Sequence, residues 1–363
     1  MMRSRPFTFS DPMRARNLAD AIAILAPVDQ VRIVHVCGTH EMTITQNGLR
    51  RFLPESIDVL EGPGCPVCVT STRDIDAAVR LAEAGVTVCT YGDMTRVPGT
   101  RMTLEEARSA GGDVRTVLSA EEAVRIAREI DGDVTFFAVG FETTTPMTAA
   151  ILLDGPPDNL SILLSHKLIP PALAALSDLP DTHIDGYLAP GHVSTIIGTR
   201  PYRPLAERYR VPVVVGGFEP LDVLYAIALI LRQIRDRKPS VENGYPRAVS
   251  EGGNTRAQAL VKAVFTPGDG VWRGIGTIPS SGLTFRESFA RFDARERFAI
   301  EGEEGEQVIP GCRCPDVLTA RAVPSDCPLF RTRCTPLTPV GPCMVGAEGA
   351  CSIWFRYGGR PQL

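Results

Sequence analysis

Six of the ten cysteines in this chain of 363 residues lie in one C-terminal stretch: Cys312, Cys314, Cys327, Cys334, Cys343 and Cys351. Pro315, Pro324, Pro328, Pro336, Pro339 and Pro342 are interleaved with them. Proline fixes φ and donates no hydrogen bond, so the stretch reads as a run of turns. Such a segment buries little apolar surface and needs a staple: disulfides, zinc or an iron–sulfur cluster. Zinc sites tend to show paired C-x2-4-C knuckles. Here that spacing occurs only at Cys65–Cys68, far away in sequence. Widely spaced single thiolates favour a cluster over zinc, and zinc over structural thiols or disulfides.

The earlier thiols stand beside residues that activate or use a thiolate. Cys37-Gly38-Thr39-His40-Glu41 follows the apolar run Val31–Val36. A helix start and a nearby imidazole both favour thiolate. Cys37 therefore reads as a nucleophile or a soft metal ligand, with His40 facing it and Glu41 fixing a tautomer or adding a carboxylate. A packed small residue and a satisfied buried histidine are the bland alternatives. Cys65-Pro66-Val67-Cys68 lies between a strand and a helix start, the placement of an exposed, acidified dithiol. A redox pair is favoured there over half a metal site. Cys89, inside an apolar run, reads as core. Gly140-Phe141-Glu142-Thr143-Thr144-Thr145 is a strand–helix turn without the P-loop pattern. Its Glu142 suits orienting a partner or backing a metal ligand better than meeting phosphate. His192, in Pro190-Gly191-His192-Val193-Ser194, reads as a further donor or a cap.

These groups need a frame, and the first two-thirds of the chain supplies one. Strands are predicted at Val31–Val36, Ile57–Leu60, Val86–Thr90, Val114–Leu118, Val134–Val139, Leu160–Leu164, Ile184–Leu188 and Pro212–Val215. Several are β-branched runs without alternation, as strands buried on both faces should be. Helices are predicted at Thr72–Ala84, from Ser119 to about Ile130, and at Glu219–Arg237. Alternating strands and helices imply parallel sheets. The expected architecture is α/β: two Rossmann-like domains, over 1–118 and 119–238, and a Cys-rich third domain of helices and loops over 239–363. Cys37, Cys65 and Cys68 fall to the first, Glu142 and His192 to the second. The motifs follow strands, at the edge where open α/β sheets bind ligands. Cys37 is expected to face a cleft, with Glu142 and His192 on the opposite rim.

Composition excludes other classes. Net charge is −4 and no Lys/Arg run stands out, so nothing implies nucleic acid or an anionic membrane surface. The longest apolar run, Val223–Leu231, is too short to span a bilayer. The start, Met1-Met2-Arg3-Ser4-Arg5-Pro6, leads into no apolar h-region. A cytoplasmic protein is expected.

Together the motifs resemble the HypD family of hydrogenase maturation factors. The resemblance rests on Cys37-Gly38-Thr39-His40-Glu41, Gly62-Pro63-Gly64-Cys65-Pro66-Val67-Cys68, Gly140-Phe141-Glu142-Thr143-Thr144, Pro190-Gly191-His192-Val193-Ser194 and the cysteine array ending Glu348-Gly349-Ala350-Cys351. It implies a scaffold, monomeric alone, that pairs with a HypC-type chaperone. The pair assembles the Fe(CN)2CO unit of [NiFe]-hydrogenase, with cyanide delivered by a HypE-type donor and HypF. Carried over, Cys37 holds the iron, and Cys65 and Cys68 are a redox pair wired to a [4Fe-4S] cluster. The family spacing C-x12-C-x6-C-x16-C selects Cys314, Cys327, Cys334 and Cys351, leaving Cys312 and Cys343 as extras. The competing readings are a stand-alone iron–sulfur thiol–disulfide oxidoreductase and a zinc-stapled binding module.

Overall fold

The computed structural model describes residues 11–300 and 309–359, so the residues read for a leader lie outside those described. Its strands are β1 (Val31–His35), β2 (Ile57–Glu61), β3 (Thr87–Thr90), β4 (Val114–Thr116), β5 (Val134–Gly140), β6 (Leu160–His166), β7 (Gly186–Pro190), β8 (Val213–Gly216), β9 (Val241–Asn243), β10 (Phe265–Trp272) and β11 (Gly276–Phe285). They form a sheet in the order β2-β1-β7-β8-β9, a second in the order β4-β3-β5-β6, and the hairpin β10-β11. Every pairing within the two larger sheets is parallel. The protein is thus α/β with two parallel sheets. β5 is buried along its whole length, as a strand covered by helices on both faces must be.

The predicted helices form, and the cap predicted at Ser119 is in place. Ser71 Oγ accepts from the Asp74 N–H at the start of Thr72–Glu83, whose Ile75, Val79 and Ala82 are buried. Ser119 Oγ accepts from Glu122 N–H at the start of Ala120–Glu129. Pro220–Asp236 ends on Arg237 in the left-handed region, two residues before Pro239.

The strands are distributed otherwise than a boundary at Ser119 requires. β3 and β4 pair with β5 and β6, and β7 pairs with β1: Ile33 stands opposite Gly186 and His35 opposite Leu188. The first sheet is built from two separated stretches of chain, with the second sheet inserted between them. The third region is also less separate than expected, because β9 completes the first sheet.

Candidate functional site

In an open parallel sheet the crevice lies where strand order reverses direction. In the first sheet that point is between β1 and β7; in the second it is between β3 and β5. Both open into one cavity of about 760 Å3. Cys37 and His192 follow β1 and β7 on one wall, and Tyr91, Asp93, Thr143 and Thr144 follow β3 and β5 on the other. His192 is therefore on the same rim as Cys37, not the opposite one, because β7 belongs to the first sheet. Its ring stacks on Phe218 at 3.7 Å between centroids.

Cys37 is the N-cap of the helix Gly38–Gln46 and is 8% exposed. Two glycines let the chain close around it. A Cβ on Gly64 would collide with the Val36 carbonyl and the Cys37 nitrogen; one on Gly38 would collide with the Glu348 carbonyl oxygen. The loop leading to Cys65 and the segment leading to Cys351 thus both press on Cys37. The helix start does not acidify the thiol as expected. Burial, and then the Glu348 carboxylate, push it up to about 11, against the N–H groups of His40 and Thr39 that favour thiolate. Glu348 lines the cavity and accepts from Thr39 Oγ1 at 3.3 Å.

His40 meets the thiol through its backbone N–H, while its ring is committed elsewhere. Nε2 is 3.0 Å from the Gly217 carbonyl and the ring stacks on Phe218. Burial, followed by His35, holds the imidazole down at about 3, so it is a neutral packing group. Glu41, fully buried, is a hub. Its carboxylate accepts from Arg50 at 2.7 and 2.9 Å, from Thr45, and from the Trp354 indole at 2.7 Å, with His35 Nε2 at 2.8 Å. Burial alone would raise its pKa, but Arg50 and His35 hold it well below the carboxylate range. Glu41 therefore ties the Cys37 helix to the helix Ala350–Tyr357 that carries Cys351. Removing one member of a buried ion pair strands the other. Glu41→Ala should cost about 3–5 kcal/mol, read as a lower denaturant midpoint, and Glu41→Gln should cost less. An unchanged midpoint in the alanine variant would deny the hub.

Cys65 and Cys68 are joined as a disulfide at the helix Pro66–Val69. Both are fully buried, against the expectation of an exposed pair, within an apolar cluster that also holds Trp272, Cys314, Cys334, Cys343 and Cys351. Cys314, Cys327, Cys334, Cys343 and Cys351 are buried too, and Cys312 half-buried. The six fall in one electrostatic neighbourhood, with Cys314 and Cys343 sulfurs 2.6 Å apart. Among the described residues no three His, Cys, Asp or Glu side chains already stand as a ready single-ion site. The donor set, soft thiols gathered in an apolar pocket, suits a cluster that brings its own geometry.

Glu142 turns away from the cavity. Its Oε1 accepts from Ile169 N–H at 3.0 Å, and burial raises its carboxyl to about 7. One unheralded residue is Glu61, at the end of β2. It is buried, neither oxygen has a hydrogen-bond partner among the described residues, and burial, then Glu41 and Cys314, raise its pKa far above the ordinary range. Its signal was a carboxylate closing an apolar strand just before Gly62-Pro63-Gly64-Cys65.

The sequence model of HypD, described as the hydrogenase formation hypA family, matches residues 13–358. The chain belongs to the HypD family. It is 46% identical over 353 residues to a hydrogenase expression/formation protein of Methanocaldococcus jannaschii, covering 96% of this chain and 98% of that one. It is 42% identical over 367 residues to the hydrogenase maturation factor HypD of Azotobacter vinelandii, covering 98% and 97%. The HypD of Cupriavidus necator is 42% identical over 367 residues, covering 96% of each. Among the described residues of this HypD-family chain no helix is long and apolar enough to cross a membrane.

Proposed function

We propose that this HypD-family hydrogenase maturation factor is a cytoplasmic assembly scaffold, on which an iron atom is held by Cys37 while CN⁻ and CO are attached. The observation that carries the reading is the meeting of both sheet switch points in one cavity with Cys37 on its wall. Low-spin iron with such ligands needs thiolate support and shelter from water. Cys37 offers the sulfur; its burial and the neighbouring Glu348 keep it protonated until a metal displaces the proton. A HypC-type chaperone would close the cavity and share the iron. A HypE-type donor with HypF would bring cyanide.

Cys314, Cys327, Cys334 and Cys351 would hold the [4Fe-4S] cluster. When bound, the cluster supplies single electrons. The Cys65–Cys68 disulfide takes two electrons and two protons to become two thiols. Its burial in the apolar cluster that also holds Cys314, Cys334, Cys343 and Cys351 favours exchange with the array over exchange with a free substrate. That burial also speaks against a stand-alone oxidoreductase, whose attacking thiol must be accessible.

Anaerobic analysis tests the reading: about four iron and four sulfide per chain are expected. Stoichiometric zinc without sulfide would end it. Thiol trapping across a redox titration should show Cys65 and Cys68 as one two-electron couple. If both stay alkylatable after mild oxidation, the relay is wrong.

A further inference from the structure

Two cysteines of the C-terminal array fall outside the four that the family spacing selects, and one of them, Cys343, sits where two sulfur groups meet. Its sulfur is 2.6 Å from that of Cys314. Carbon atoms in contact keep about 3.5–4.0 Å apart and sulfur is the larger atom, so packing alone does not bring two thiols this close. Both are held by ordered backbone. Cys314 opens the helix Cys314–Leu318. Cys343 is in the turn Pro342–Met344, where Met344 N–H donates to the Gly341 carbonyl at 3.1 Å and Val345 N–H to the Pro342 carbonyl at 3.0 Å. A Cβ on Gly349 would collide with the Cys343 carbonyl, so the chain running on to Cys351 folds tightly against this turn.

The same turn also meets the dithiol. Pro342–Met344 packs on the helix Pro66–Val69, which Cys65 caps and which contains Cys68. A Cβ on Gly346 would stand 3.4 Å from the Cβ of Val67, the residue before Cys68. Cys65, Cys68, Cys314 and Cys343 belong to one apolar cluster, and none is more than 5% exposed. An oxidant in solution has no ready access to thiols so buried, whereas the Cys65–Cys68 bond is already inside the cluster. Thiol–disulfide exchange needs only an attacking sulfur and a disulfide within its reach.

We propose that Cys314 and Cys343 form an alternative disulfide in the cluster-free chain, made by exchange with Cys65–Cys68. The Cys343 sulfur attacks one sulfur of the Cys65–Cys68 bond, and its proton goes to the sulfur released. Cys314 then attacks Cys343 in the mixed disulfide, and its proton goes to the second sulfur released. One S–S bond forms and one breaks; Cys314 and Cys343 are oxidised, Cys65 and Cys68 are reduced, and no outside oxidant enters. The chain holds one disulfide and eight free thiols before and after. The bridge closes the loop that carries Cys327 and Cys334, and so staples a segment short of regular structure until a cluster does. That it also masks a cluster ligand rests on the function proposed above; the pairing itself does not.

In the test, the full-length chain is stripped of iron by a chelator under anaerobic conditions, and released sulfide is removed by gel filtration. The protein is then quenched in acid, alkylated and digested, and disulfide-linked peptides are identified by mass spectrometry. A Cys314–Cys343 pair is expected, in chains whose Cys65 and Cys68 are both alkylated. In Cys343→Ser the Cys65–Cys68 pair should stay closed. In Cys68→Ser, which has no disulfide to give, the Cys314–Cys343 pair should be lost. A wild-type chain without that pair would overturn the proposal, and so would the pair at wild-type level in Cys68→Ser. The wild-type map decides without any variant having to fold. Before stripping, Cys343→Ser should hold as much iron and sulfide as the wild type; their loss would make Cys343 a cluster ligand and end the proposal. A wild type that holds no iron or sulfide as isolated would defeat the proposed function, and its peptide map would still judge the pairing.

Discussion

Replacing Cys37 with serine is expected to abolish the CN⁻ and CO stretching bands in the infrared spectrum of the chaperone complex purified from cells. Serine fills the same volume and accepts the same N–H groups of Thr39 and His40 that meet the thiol. It is a harder and far less acidic ligand, so it cannot support iron of this kind. The fold should survive, because the closure around residue 37 is made by backbone: Gly64 against Val36 and Gly38 against Glu348. The cluster should survive too, since its thiols lie on other segments. Bands of undiminished intensity in Cys37→Ser would place the iron elsewhere and move the oxidoreductase reading ahead.

Replacing Cys334 with alanine should remove the cluster altogether and loosen the segment that holds it. Cys334 is buried and its sulfur accepts from Val340 N–H at 3.3 Å. From Ile309 to Gly349 regular structure is limited to Cys314–Leu318, Pro324–Asp326 and Pro342–Met344. A segment so poor in secondary structure draws its order from whatever its thiols bind, so site formation and folding are one event. Iron and sulfide should fall from about four per chain to near zero, and limited proteolysis should cut between Ile309 and Gly349. The half-buried Cys312 supplies the contrast: Cys312→Ala should retain the full complement. Retention in Cys334→Ala with loss in Cys312→Ala would redraw the ligand set.

The sequence was most legible where information is local. All eight predicted strands form, because continuous β-branched runs between polar turns have few other places to go. Ser119, followed by Glu122, marks a helix start for reasons of capping alone. Partner choice was not legible. Nothing within Gly186–Pro190 says that it joins β1 and not the nearer β6, and the rim assigned to His192 went wrong with it. The hairpin was missed because Pro267, Gly268 and Gly270 make β10 read as loop. Glu348 and Trp354 are separated from Thr39 and Glu41 by more than 300 residues, and only the folded chain brings each pair together.

The insertion of one sheet within another also sets an order of events. During synthesis β1 and β2 emerge early, but β7 follows only after the whole second sheet has been made. A two-stranded ribbon is barely stable in water, so the ground around Cys37 stays unfinished until β7 and β8 dock. The last wall arrives later still, when Glu348 reaches Thr39 and Trp354 reaches Glu41. A ribosome must therefore release almost the entire polypeptide before Cys37 acquires its shelter. A nascent or truncated chain has no finished pocket around Cys37, and on the function proposed above the fold itself sets when loading can begin.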